Sequence, residues 1–221
     1  MAPPLRLGVL ASGSGSNLQA ILDACGERRI RAEVAAVICN VPGAPALQRA
    51  SEARLPAVLL PHQEYARRED YDARLVAELR ARGVELVCLA GFMRMVTPVL
   101  LSAFAQRVLN IHPSLLPAFP GMNGVRQALR AGVRVSGCTV HLVDEGTDSG
   151  PIVIQAAVPV LEGDTEESLA ARILVQEHRI YPRAIQLFAE GRVQVDGRRV
   201  LVSGAQPDAA RTLSSPAVEE P

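Results

Sequence analysis

The sequence predicts an α/β protein: a mostly parallel, doubly wound sheet with helices on both faces and an antiparallel addition near the C-terminal end. Three observations carry this expectation. From residue 5 to residue 111, apolar segments of strand length alternate with stretches of helical periodicity. Most of the short segments are apolar throughout, as strands covered on both faces must be. Beyond residue 111 the pattern changes, because the apolar strands 138–143 and 152–161 follow one another with no helix between them. Consecutive strands without a crossover pair antiparallel.

Each element has a local reason. Residues 5–11 are apolar apart from Arg6 and Gly8 and run into Ser12-Gly13-Ser14-Gly15-Ser16-Asn17, after which Leu18, Ile21 and Leu22 recur at helical spacing. This reads as strand, glycine turn and helix, with Gly26 at the helix end. Residues 33–39 form a second strand, and 44–54 a short helix whose Pro45 suits its first turn. A third strand at 57–60 leads through the polar loop 61–66 into a charged amphipathic helix that runs to about Arg82. The fourth strand, 84–90, ends at Gly91-Phe92-Met93-Arg94-Met95, and a helix over 97–106 precedes the strand 108–111.

The C-terminal half is read in the same way. Loop 114–124 holds too many Pro and Gly for regular structure, and 125–130 is helical. Asp164-Thr165-Glu166-Glu167 predicts a capping box, with Asp164 as acceptor and Glu167 three residues on, opening a helix to about Ala189 that Pro182 kinks. Gly191 marks its end, and 192–202 make a hairpin about Asp196-Gly197. Residues 1–202 therefore form one domain. The tail 203–221, rich in Ala, Pro, Ser and acidic residues, is expected to be disordered.

Composition narrows the function. Lys plus Arg and Asp plus Glu both number 23, so no charge excess points to a polyanion or a membrane surface, and a nucleic-acid partner is disfavoured. Three Tyr, four Phe and no Trp leave few platforms for stacking bases. Cys25, Cys39, Cys88 and Cys138 are widely separated with no C-x-x-C spacing, so neither a metal site nor a disulfide framework is expected. No basic n-region with an apolar h-region opens the chain, which favours a cytoplasmic protein without a membrane partner.

The segment Asn110-Ile111-His112-Pro113-Ser114-Leu115-Leu116-Pro117 is where the chemistry concentrates. The strand stops at prolines that cannot continue a ladder. Alternation points Asn110 and His112 the same way, so an amide donor and an imidazole meet at an open sheet edge able to hold an oxyanion. A lone histidine beside a strand is more often a satisfied core residue. What favours function is the acidic turn Asp144-Glu145-Gly146-Thr147-Asp148-Ser149-Gly150-Pro151, which can deliver a carboxylate to that histidine. The first glycine turn lacks the third glycine of a dinucleotide motif and the lysine of a P-loop. Gly15, Ser16 and Asn17 at a helix start instead suit a monophosphate, the plain alternative being a helix cap.

Taken together, Gly13-Ser14-Gly15-Ser16-Asn17-Leu18-Gln19, Leu89-Ala90-Gly91-Phe92-Met93-Arg94, the Asn110 to Pro117 run, Asp148-x-Gly150-Pro151 and Gln176-Glu177-His178 resemble the motif set of the phosphoribosylglycinamide formyltransferase family over about residues 5–200. The resemblance implies transfer of the formyl group of 10-formyltetrahydrofolate, a cosubstrate, to the amine of glycinamide ribonucleotide, without a metal. It implies Asn110, His112 and Asp148 as catalytic residues. It gives the phosphate to Gly15, Ser16 and Asn17, and the ribose hydroxyls to Glu177, for which a solvated helix position is the plain alternative. It lines the folate pocket with Met93, Arg94, Met95 and Val96 and with Asp144, Glu145, Gly146, Thr147 and Asp148, beside Asn110. Arg68 matches a position near the folate, although a solvated helix charge is the simpler reading of it. Leu174 departs from the family, standing where relatives often carry a polar or basic residue, and 122–125 lacks a histidine that several relatives have.

The residues allow the chemistry to be argued directly. An α-amine is partly neutral near physiological pH, so stabilising charge on the formyl oxygen is the larger task, and Asn110 and His112 offer N–H donors for it. Asp148 can relay the proton from the amine towards the leaving nitrogen, directly or through one water. Ser114 lacks a nucleophile-elbow setting, which favours direct transfer over an acyl-enzyme. Other formyltetrahydrofolate users of this fold, the deformylase and the methionyl-tRNA formyltransferase, are alternatives that usually carry an additional domain for which this sequence shows no segment. A non-catalytic nucleotide-binding module is the third. A monomer and a homodimer are both compatible with the sequence.

Overall fold

The computed structural model describes residues 3–204 and 215. In chain order the elements are β1 (Leu5–Ala11), α1 (Ser16–Gly26), β2 (Ala32–Cys39), α2 (Pro45–Glu52), β3 (Ala57–Leu59), α3 (Arg68–Ala81), β4 (Leu86–Leu89), α4 (Pro98–Ala103), β5 (Val108–His112), α5 (Gly124–Ala131), β6 (Val135–Leu142), β7 (Ile152–Pro159), α6 (Glu166–Ala189), β8 (Val193–Asp196) and β9 (Arg199–Val202). Strands β1 to β7 make one sheet in the order β3-β2-β1-β4-β5-β6-β7. The pairings among β1 to β5 are parallel, and β5–β6 and β6–β7 are antiparallel. The expected doubly wound sheet with an antiparallel addition is what forms.

Alternation along the inner strands buries both faces. On β1, Leu7 and Val9 enter one core cluster with Leu18 and Ile21 of α1 and Ile173, Tyr181 and Ile185 of α6. Leu10 turns to the other cluster, with Tyr71, Leu75 and Leu79 of α3 and Leu100 of α4. The β8–β9 hairpin leans on the first cluster through Val193, Val195 and Val200. Tyr181, fully buried, brings its hydroxyl to the carbonyls of Leu89 (3.0 Å) and Leu109 (3.2 Å), so α6 is tied to the ends of two inner strands.

Three local expectations are corrected. The cap of α6 is Thr165, which exchanges hydrogen bonds with Ser168, and not Asp164 with Glu167. The reason is competition: the Asp164 carboxylate already accepts from Arg172, the Leu161 amide and the Ser168 hydroxyl. The hairpin pairs Asp196 with Arg199, so its two-residue turn is Gly197-Arg198, one residue later than expected. The helix expected over 97–106 ends at Ala103, because Phe104 leaves helical geometry and Gln106 takes a positive φ of 54°. The tail expected at 203–221 lies, apart from residues 203, 204 and 215, outside the described residues. Among the described residues no helix is long and apolar enough to cross a membrane.

Candidate active site

Strand β5 lies between β4 and β6 and runs two residues past its last pairing with β4, at Leu89↔Asn110. Asn110 and His112 project from one face, and the antiparallel register sets His141 of β6 directly opposite Asn110. The expected sheet edge is thus a patch on the face of β5 and β6. The 144–150 loop is tied at its base by Val143 N donating to Val108 O (2.9 Å) and Leu142 N to Pro151 O (2.9 Å). It folds back so that the Asp148 carboxylate reaches all three side chains. Asp148 Oδ2 lies 3.3 Å from His112 Nδ1, and Oδ1 lies 3.4 Å from Asn110 Nδ2 and 3.6 Å from His141 Nε2.

The loop conformation is dictated locally. Asp144 Oδ1 accepts from Gly146 N (3.1 Å) and Ser149 Oγ (2.7 Å), an Asx turn that closes the loop on itself. Asp148 takes a left-handed φ of 49°, which aspartate tolerates better than most residues. Arg198 of the hairpin donates to Ser149 O at 2.7 Å, on the rim of a cavity of about 510 Å³ between loop and hairpin. Gly121 N donates to Asp148 Oδ2 at 2.7 Å from the other side. Burial pushes the Asp148 carboxyl up, but the His141 ring, the Gly121 amide and the His112 ring outweigh it and hold the group below the ordinary carboxylate range.

Both nitrogens of His112 face oxygen: Nδ1 the Asp148 carboxylate, and Nε2 the Phe119 carbonyl at 2.9 Å. Only the imidazolium can donate to both at once. A substrate oxygen must displace one of these contacts to be met by His112. The loop presenting Phe119 is held in turn by buried Thr139, which donates to Ser114 O (2.7 Å) and accepts from Leu116 N (3.1 Å).

The glycine turn forms the second part. Gly15 caps α1 in the left-handed region, φ 71°, with a Cβ position that would press on Ala46, and no side chain caps the helix. The first-turn N–H groups are therefore open to an anion. Asn17 is buried and donates through Nδ2 to Glu177 Oε2 at 2.7 Å, so its side chain faces the α6 carboxylate while its backbone stays at the turn. Glu177 is 7% exposed, which rules out the solvated helix position. Burial raises its carboxyl, the Asn17 bond opposing this in part. A cleft of about 280 Å³ opens beside Ser16, lined by Gln19, Arg49 and His178. Arg49 holds the turn by donating to Ser14 O (2.9 Å) and Gln19 Oε1 (3.2 Å).

The third part is the segment after β4. Met93 and Met95 are 65% and 45% exposed, Val96 is half-buried, and the Arg94 guanidinium lies 4.6 Å over the Tyr71 ring. Met93 N donates to Ser12 Oγ at 2.8 Å, joining this segment to the end of β1. Met95 Sδ comes within 4.0 Å of Thr147 Oγ1, so the 93–96 and 144–148 segments face one another, while Glu145 and Gly146 stay at the exposed tip. Arg68 stands exposed at the start of α3.

The formyl transferase family model matches residues 5–185, which contain this geometry apart from Arg198 of the hairpin. The chain belongs to that family. Within the formyl transferases, the phosphoribosylglycinamide formyltransferase of Escherichia coli is 43% identical over 211 residues, covering 92% of this chain and all of that protein. The trifunctional purine biosynthetic protein adenosine-3 of Drosophila melanogaster is 50% identical over 188 residues, 84% of this chain; the chain spans only 14% of that longer protein. The crystal structure of glycinamide ribonucleotide transformylase 1 from Symbiobacterium toebii superposes with a TM-score of 0.89 at 58% identity, over 90% of this chain and 94% of that one.

Two residues of the candidate site are not marked by the sequence as such. His141 sits in a run read only as an apolar strand, and a histidine inside such a run was a signal, though its partner Asn110 depends on register. Arg49 lies on a short helix far along the chain from the turn it holds, and nothing in its neighbourhood marks it.

Proposed function

We propose that this chain transfers the formyl group of 10-formyltetrahydrofolate to the primary amine of glycinamide ribonucleotide by direct attack, as a step of purine synthesis, with residues 1–202 acting as one domain. The observation that carries this reading is Asp148 meeting Asn110, His112 and His141 on one face of the sheet. The folate supplies the formyl carbon. The residues fit such a ligand: two exposed methionines lie on a segment that meets the polar 144–148 loop at Met95 and Thr147, near groups able to donate and accept protons.

Asn110 Nδ2 and His112 provide N–H donors for the oxygen on which negative charge grows, and one such donor is typically worth about 3 kcal/mol in the transition state. Asp148 takes the proton that the attacking amine loses, and His112 or a bridging water passes a proton to the leaving nitrogen. Gly15, Ser16 and Asn17 hold the phosphate through backbone N–H groups, with the Arg49 cation beside them. Glu177 accepts from the ribose hydroxyls. Met93 to Val96 and Asp144 to Asp148 form the two walls of the folate site, and Arg68 of α3 is a further contact of the folate.

The test is folate absorbance during incubation of the protein with 10-formyltetrahydrofolate, with and without glycinamide ribonucleotide. Turnover that requires the ribonucleotide is expected. Deformylation at the same rate without it would overturn the proposal in favour of a deformylase.

A further inference from the structure

Residues 93–97 cross from β4 to α4 without regular structure, yet two neighbouring residues of α3 pin them. The Tyr71 ring lies under the Arg94 guanidinium, and Asp72 Oδ2 accepts the Thr97 amide at 2.5 Å. Asp72 is fully buried and its other oxygen, Oδ1, has no partner. Burying a carboxylate is costly unless hydrogen bonds compensate it, and here one bond does most of that work. Thr97 caps α4, where the first amides lack helical partners, but a water or a hydroxyl could satisfy one amide at far lower cost.

We infer that Asp72 is a positioning residue for folate binding: by fixing the Thr97 amide it sets the stance of the Met93–Met95 wall without itself touching the ligand. The inference rests on the folate site proposed above. The segment's side chains are arranged as this requires, with Met93 and Met95 projecting outwards between two anchored ends. Burial raises the Asp72 carboxyl, opposed by the Thr97 contacts and by the Arg94 and Arg68 charges, so the site holds a carboxylate that an apolar or neutral residue would fill more cheaply. Arg68, one helical turn before Asp72 on α3, belongs to the same proposed site, and the helix thereby joins two of its parts.

The experiment compares wild type, Asp72→Asn, Asp72→Ala and the exposed control Asp70→Asn. It measures KM for 10-formyltetrahydrofolate, kcat, the calorimetric Kd for glycinamide ribonucleotide and Tm. Asp72→Asn is expected to raise the folate KM about tenfold, as loss of a charge-assisted bond would, with ribonucleotide Kd unchanged and Asp70→Asn like wild type. An unchanged folate KM in Asp72→Asn, or equal weakening of both ligands, overturns the inference. Should both Asp72 variants fail to fold, amide exchange in the wild type decides: a protected Thr97 N–H supports the anchor, and solvent-like exchange overturns it. Product formation by wild type separates the two levels, because no product overturns the assigned reaction, whereas product with an unmoved KM overturns only the role of Asp72.

Discussion

Asn110 and His141 stand directly opposite one another on β5 and β6, with Asn110 Nδ2 3.1 Å from His141 Nε2. His141 Nδ1 faces the Leu142 carbonyl at 2.9 Å, and its Nε2 also lies 3.6 Å from Asp148 Oδ1, so the ring packs against both the amide and the carboxylate. The ring thereby helps to fix the Asn110 amide, which would exchange its Asp148 contact for the formyl oxygen in the proposed reaction. His141→Phe keeps an aromatic ring at this position and removes both ring nitrogens. In steady-state assays kcat should fall about tenfold with little change in the ribonucleotide KM. A wild-type kcat would show that Asn110 needs no such guide.

His112 and Asp148 act as a unit in the proposed mechanism, 3.3 Å apart. Asp148→Asn should lower kcat at least ~100-fold while ribonucleotide binding survives, because the lost interactions belong to the transition state. His112→Ala should be comparably damaging. Losses in the double variant should be far less than multiplicative. Multiplicative losses would mean the two side chains act independently.

Stability should report the same carboxylate. Asp148 is held below its ordinary value of 3.8 in the folded protein, so its contribution is complete above about that pH and is lost as pH falls through the lower folded value. Wild type should therefore unfold at a higher temperature than Asp148→Asn at pH 7, and the gap should close as pH falls below the ordinary value of 3.8. Thermal scans of both proteins across pH 2–8 check this. A gap that widens in acid would contradict the assigned direction.

Glu177 titrates in the opposite sense. Burial raises its carboxyl above the ordinary 4.5, so its stability is complete below that pH and declines as pH rises through the higher folded value. Glu177→Gln removes the decline and keeps an acceptor for Asn17. At pH 7.5 its Tm should equal or exceed that of wild type, while the ribonucleotide KM rises about tenfold through loss of a charged acceptor for the ribose. A lower Tm together with an unchanged KM would make Glu177 a structural residue only.

The sequence announced most of this architecture because its signals are local. Apolar runs, the Gly15 turn and the reversal after β5 depend on neighbours a few residues away, and they appear where periodicity put them. Capping was less legible: Asp164 and Thr165 are both competent caps, and the choice fell to Arg172, eight residues beyond Asp164, which claims the aspartate. The site divided along the same line. Asn110 and His112 follow from alternation within one strand, whereas His141 depends on strand register and Arg49 on how α2 docks beside the turn. Leu174 is half-buried on α6, and Arg49 and Arg29 are the cations that line the cleft beside the turn.

The Asn17–Glu177 hydrogen bond joins residues 160 positions apart. During synthesis, β1 and the glycine turn leave the ribosome long before α6 exists, so the carboxylate half of the proposed nucleotide subsite is missing until α6 emerges. Contacts of such sequence separation form late because loop closure must precede them. Nascent chains that stop short of α6 can begin the parallel sheet yet hold the Asn17 amide with nothing to receive it. Ribonucleotide binding at the proposed subsite would thus report that α6 has docked, and ligand present in the cell would favour that state over every shorter intermediate by mass action.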